Sequence, residues 1–208
     1  MCAIVGSFSG KKLAELLTAN SYRGSFSYSL SYTEDNGELI VVSRNFGVPK
    51  EDVITEFTKL HRGKYLVAHI QAPTGGLVPD NSRIHPSTIQ NSHLYHNGIL
   101  KSSYMKQNEY NGWDTRLLHT KILNDGFDVL SEVDGAFSCL FSCNKKLYLF
   151  RNSTSPMFVD ENLNISSTKF IGSTHTEFDT VYTMNLDTRL LERCYTFNNI
   201  NTPYFFGN

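Results

Sequence analysis

Met1-Cys2-Ala3-Ile4-Val5-Gly6 opens the chain, a thiol one position from the start followed at once by an apolar, β-branched run and a glycine. Ala3 to Phe8 reads as a short buried strand closed by Ser9-Gly10. Cysteine at position two is small enough for Met1 to be cleaved. The thiol nucleophile and the α-amine, a candidate base, then reside in one residue. That amine has an ordinary pKa of about 7.7–8.0, near the working pH that suits a general base. The same pairing activates N-terminal threonine nucleophiles. Taken alone, a cysteine in an apolar strand is more often a small core hydrophobe, and it is the remainder of the chain that reverses this reading.

The next segments alternate strands with a few helices. Leu13, Leu16 and Leu17 define an amphipathic helix over residues 11–19, and Tyr22-Arg23-Gly24 turns the chain. Residues 25–32 place Phe26, Tyr28, Leu30 and Tyr32 in alternation with serines, a period of two. Asp35-Asn36-Gly37 predicts a hairpin turn and residues 38–43 its returning strand. Pro49, Glu51 and Asp52 open a helix to about Leu60, with acids where the helix dipole favours them. Residues 64–71 read as a buried strand, broken by Pro73-Thr74-Gly75-Gly76 into a loop that runs to Pro86. Residues 92–96 form a short strand, and Asn97-Gly98 after it fits a tight turn. Asp114 suits the N-cap of a helix over residues 116–124.

From Ala136 onward the pattern is strands: 136–142, 146–151, 156–159, 163–166, 169–172, 180–184 and 189–195. Tyr204, Phe205 and Phe206 near the end are expected to seal a core edge. There is no regular βαβα alternation. An α+β domain of two antiparallel sheets with helices outside is the architecture that fits.

Composition narrows the function. Hydrophobic content is 40%, charged content 19%, and 20 acidic against 19 basic residues give a net charge of −1. That balance offers no nucleic-acid footprint and no attraction to an anionic membrane, and no apolar run has spanning length. Lys11-Lys12 interrupts any signal-peptide pattern early. A cytoplasmic protein is expected, its four cysteines free thiols. Cys139 and Cys143 lie four apart with no histidine at zinc-ligand spacing, so core packing is expected for them, with no metal and no cofactor. Asn152-Ser153-Thr154 and Asn164-Ile165-Ser166 match glycosylation acceptors by chance.

Together these stretches resemble the class II glutamine amidotransferases, which are N-terminal-nucleophile (Ntn) hydrolases. The nearest likeness is to the glutaminase domain of glutamine–fructose-6-phosphate amidotransferase. The matches cover about three quarters of the chain in the family's order. They are the Met1–Gly6 start, Ser21-Tyr22-Arg23-Gly24, the Ala68-His69-Ile70-Gln71-Ala72-Pro73-Thr74-Gly75-Gly76 loop, Ile84-His85-Pro86, His96-Asn97-Gly98-Ile99, Asp114-Thr115, Val133-Asp134-Gly135-Ala136-Phe137, and Arg151 through Ser155-Pro156.

The resemblance implies one domain over residues 1–208, without a synthase domain, folded as a four-layer αββα sandwich of two antiparallel sheets flanked by helices. It implies that Cys2 attacks the glutamine side-chain amide, with its α-amine moving the proton. Asn97 and Gly98 then form the oxyanion hole and Arg23 orders the Cys2 region. Asp114 pairs with the substrate ammonium, and Thr74 and His85 line the pocket. The implied substrate is glutamine or a related amide, and the implied partner is a separate synthase subunit that takes up ammonia.

Three residues depart from the family pattern. Gln71 stands where an arginine grips the glutamine carboxylate, Ala72 where tryptophan is usual, and Gly75 where histidine is usual. A hydrogen bond to a charged group contributes roughly 1.5–3 kcal/mol. Losing the arginine therefore weakens glutamine about tenfold to a hundredfold unless another residue, for which Arg83 is the candidate, supplies the charge. Two alternatives follow: an Ntn amidohydrolase acting on a different amide, and a non-catalytic remnant of the fold.

Overall fold

The computed structural model describes residues 2–72 and 81–200. Met1, Thr74, Gly75 and the aromatic cluster Tyr204–Phe206 lie outside the described residues. The first half contains β1 (Ala3–Ser7), α1 (Gly10–Asn20), β2 (Ser27–Thr33), β3 (Leu39–Phe46), α2 (Glu51–Leu60) and β4 (Leu66–Gln71). Next come β5 (Ser87–Ile89), β6 (Ser92–Leu100), α3 (Ser102–Gln107) and α4 (Asp114–Asp125). The remainder is β7 (Gly135–Cys143), β8 (Lys146–Arg151), β9 (Phe158–Val159), β10 (Ile165–Ser166), β11 (Thr174–His175), β12 (Thr180–Asn185) and β13 (Leu190–Thr196).

The strands form two antiparallel sheets, ordered β11-β9-β10-β1-β4-β2-β3 and β13-β12-β8-β7-β6-β5. Three cores separate four layers. Leu13, Leu16 and Leu17 of α1 and Phe57 of α2 pack on Val5, Leu30 and Leu66 of the first sheet. Ile4, Val67, Tyr95, Leu140 and Leu149 fill the space between the sheets. Leu117, Leu118 and Ile122 of α4 cover Leu94, Phe137 and Phe150 of the second sheet. The expected αββα arrangement is therefore the observed one. β1 is central, flanked by β10 and β4 and buried throughout, which is why its sequence is continuously apolar rather than alternating.

The serine row of β2 shows a different logic. A period of two in an antiparallel strand ordinarily sends the polar residues to water. Here Tyr28 and Leu30 face α1, while Ser27, Ser29 and Ser31 point into the inter-sheet interior and are buried. Ser31 hydrogen-bonds the Tyr95 hydroxyl of the opposite sheet, and Ser27 donates to Gln71 Oε1 at 2.8 Å.

Several local expectations are corrected. Asn97-Gly98 is no turn: β6 runs straight through it to Leu100, paired with β7 from His93↔Ser142 to Leu100↔Gly135. Tertiary pairing overrides the local turn propensity of the dipeptide. Residues 169–172 are irregular and end in a turn at 171–172, and the strand comes after them, at β11. Residues 81–83, in the expected loop, form a 3₁₀ turn. Asp114 is the first helical residue, not the N-cap, which is Trp113. Asn152 of the glycosylation-like triplet is buried and clamps the chain, its Nδ2 donating to the Gly135 carbonyl at 2.7 Å. Cys139 is a core residue, with Cys143 packed beside the same cluster.

Candidate active site

The parity of each strand decides which side chains reach the site. Ile4 lies between the sheets and Ala3 under α1; Cys2, two residues before Ile4, shares its inter-sheet face. On the neighbouring strand β4, Val67 also faces between the sheets, so His69 and Gln71 do as well. Arg23, at the end of a 3₁₀ turn, donates from Nε to the Cys2 carbonyl at 2.9 Å and anchors that end of β1. The backbone N–H of Ala72 hydrogen-bonds the Cys2 sulfur.

The opposite wall is the edge of β6. Tyr95 belongs to the inter-sheet core, whereas Leu94 and Leu100 lie under the helices. Asn97 therefore presents its side chain between the sheets, where Nδ2 makes a long 3.5 Å contact with Ser138 Oγ. Beyond β5, one edge of β6 has no strand beside it among the described residues. Side chains serve its backbone instead: His96 N–H donates to His85 Nδ1 at 3.4 Å and Leu100 N–H to Asp114 Oδ2 at 3.1 Å. Peptide N–H groups two apart on a strand point the same way, so the Gly98 N–H is directed to this same edge, between His85 and Asp114. A side chain at 98 has no room: a Cβ there would stand 1.9 Å from the Ala136 carbonyl oxygen.

His85 and His69 meet beside Cys2. Their rings lie 4.1 Å apart, and His85 also abuts Trp113 at 4.8 Å. His69 bonds the His96 carbonyl, tying the first sheet to the β6 edge. Burial dominates the electrostatics. It pushes the Cys2 thiol up to about 11, a rise that Asp114 adds to while the Ala72 N–H and Arg23 oppose it. Burial also drives His69 down to about 3 and His85 well below the ordinary histidine value. At neutral pH the site therefore holds a thiol and two uncharged imidazoles, and the thiol becomes a nucleophile only when a base takes its proton.

Gln71 has its side chain engaged at both ends: Oε1 accepts from Ser27 Oγ, and Nε2 donates to the Arg83 carbonyl at 3.1 Å. Its amide thus braces the short 3₁₀ turn at residues 81–83. Sequence reading placed Cys2, Arg23, Gln71, His85, Asn97, Gly98 and Asp114 in the site, and all of these lie around the end of β1 and the β6 edge. It missed His69 and Ser27. The signal for His69 was present in the parity of β4, since a residue two before Gln71 must share its face.

No family model matches this sequence, and no curated protein matches it. Solved structures do. Glutamine phosphoribosylpyrophosphate amidotransferase from B. subtilis aligns with 93% of this chain at TM-score 0.65 and 18% identity. A structure of the allosteric regulatory enzyme of purine biosynthesis aligns with 93% at TM-score 0.63 and 18% identity. This chain covers 49% of each of those two chains, about half their length. A glutamine aminotransferase class-II domain protein from Silicibacter pomeroyi aligns with 95% of this chain and 99% of its own, at TM-score 0.54 and 10% identity. The chain shares the α+β fold of these structures, two antiparallel sheets between helices. No helix among the described residues is long and apolar enough to cross a membrane.

Proposed function

We propose that this chain is a class II glutaminase unit in which Cys2, made N-terminal by removal of Met1, hydrolyses the side-chain amide of glutamine. The observation that carries the reading is the β6 edge: Asn97 facing between the sheets and the Gly98 N–H set between His85 and Asp114, across from the buried Cys2 thiol. Such an edge offers two donors to a developing oxyanion.

Cys2 Sγ attacks the amide carbon while the Cys2 α-amine takes the thiol proton. The tetrahedral oxyanion rests on Asn97 Nδ2 and Gly98 N–H. The ammonium so formed returns the proton to the departing nitrogen, which leaves as ammonia and a thioester remains. Water, deprotonated by the same amine, attacks the thioester and releases glutamate, and the thiol is regenerated. Asp114 holds the substrate ammonium and His85 lines the pocket, a role that the sequence resemblance gives to Thr74 as well. Arg83, positioned by the hydrogen bond from Gln71 to its carbonyl, replaces the charge absent at position 71 and binds the α-carboxylate. Ammonia passes to an acceptor-binding synthase protein. An intracellular, cytoplasmic setting suits the free thiol.

Steady-state glutamate release tests the assignment. Asn97→Ala lowers kcat about 10²- to 10³-fold, as expected for loss of one oxyanion donor, with little change in KM. An unchanged kcat contradicts the role given to Asn97. The engagement of Gln71 favours a second reading, an amidohydrolase whose substrate lacks an α-carboxylate. Turnover of simple primary amides with none of glutamine identifies that case.

A further inference from the structure

Cys2, His69 and His85 come from three distant parts of the chain. One ligand atom of each lies within 4.8 Å of the others. All three residues are buried, at 7%, 1% and 2% exposure. We propose that they form a three-ligand site for a borderline transition-metal ion of the Zn²⁺ type.

Three observations support it. First, the donor set is thiolate and imidazole, which Zn²⁺ prefers, and three protein ligands is the number found at reactive rather than purely structural zinc. Second, the size is close. Bonds of about 2.0–2.1 Å to nitrogen and 2.3 Å to sulfur in a tetrahedron put the ligand atoms roughly 3.3–3.6 Å apart. Side-chain rotations that close gaps of about 1 Å complete it. Third, the Nε2 of His69 is buried without a hydrogen-bond partner, an uncommon state for an interior polar atom. β6 also offers each imidazole a backbone acceptor, the His96 carbonyl to His69 and the Leu94 carbonyl to His85. Metal-binding histidines are commonly oriented by such backbone contacts.

On binding, the Cys2 S–H proton goes to solvent and an S–metal bond forms; no electron is transferred. The sulfur that holds the metal is the one assigned above as nucleophile, so metal and amide substrate compete for it. Only this competition rests on the proposed function; the metal site itself does not.

The test uses the full chain stripped with a chelator. Zn²⁺ titrated calorimetrically binds at one per chain, and Co²⁺ gives the thiolate-to-metal charge-transfer absorption that marks a sulfur ligand. Cys2→Ser, His69→Gln and His85→Gln each weaken Zn²⁺ binding at least about tenfold, a floor taken from the effect of losing mere supporting contacts. Cys194→Ser, at an exposed thiol, leaves it unchanged. Because a buried variant can misfold, the wild-type chain carries a second readout: Zn²⁺ protects Cys2 from alkylation, mapped by peptide mass. Binding without the charge-transfer band, binding that survives Cys2→Ser, or no protection of Cys2 overturns the site. Capture of metal-free Cys2 by a glutamine-mimicking electrophile is measured in parallel. Zn²⁺ binding without capture removes the glutaminase reading and leaves the site standing; capture without Zn²⁺ binding does the reverse.

Discussion

At position 71 the glutamine amide is committed to structure: one end to Ser27, the other to the Arg83 carbonyl. On the proposed reading, the charge for the substrate carboxylate comes from Arg83, in the short 3₁₀ turn that this glutamine braces. Arg83→Ala should therefore raise KM for glutamine about tenfold to a hundredfold, the equivalent of the roughly 1.5–3 kcal/mol of a charge-assisted hydrogen bond. kcat should move little, because the α-carboxylate is bound equally in ground and transition states. Steady-state kinetics over a wide glutamine range decides it; an unchanged KM removes Arg83 from the pocket. Position 71 also shows where sequence reading stops. The absence of the arginine was legible in the chain, but Ser27 as the partner of Gln71 was not. It depends on the β2–β4 register, which pairs Ser27 with Gln71.

The element that most changes between sequence and structure is β6. Asn-Gly carries a strong turn signal, and it was overridden by the ladder to β7 on one side and by His85 and Asp114 on the other. Gly98 is required there by space rather than by φ. Gly98→Ala drives a methyl into the Ala136 carbonyl, so it should destabilise the fold by about 1–3 kcal/mol, lowering Tm by several degrees in a chain of this length. A thermal melt that matches wild type contradicts the tight approach of β6 and β7.

Helix α4 provides a pH test on the same sheet. His119 is buried and bridges Ser87 and Ser92, at 3.0 and 2.9 Å. Burial, aided by Arg116, lowers it to about 4. The unfolded chain, at about 6.5, binds the proton first on acidification. The contribution of His119 is therefore complete above pH 6.5 and is lost as pH falls toward 4, by up to about 1.4 kcal/mol per pH unit. Urea midpoints at pH 7, 6 and 5 should fall less steeply in His119→Gln than in wild type; equal slopes refute this. Elements such as β8, where a run of apolar residues is bounded by Asn-Lys and Asn-Ser, were readable residue by residue. β9, β10 and β11 have only two residues each, and their limits are set by partners rather than by local pattern.

At the scale of the molecule, two sheets face one another across a core that is apolar at Ile4, Val67, Tyr95 and Leu140 and polar toward Ser27, Gln71, His69 and Cys2. That gradient is the physical origin of the site: the apolar part holds the sheets together, and the polar end leaves donors and a thiol between them. The four layers were foreseeable from the order of strands and helices and from the resemblance of the motifs. The meeting of Cys2, His69 and His85 was not, because three residues so far apart in the chain have no spacing to read. The account as a whole depends on Cys2 becoming the first residue and reacting as a nucleophile toward glutamine. Intact mass of the purified chain, before and after incubation with a glutamine-mimicking electrophile, measures both at once. The predicted result is a mass lacking one methionine, followed by a single adduct that maps to Cys2 and is suppressed by excess glutamine. A retained Met1, or no adduct at Cys2, would contradict it.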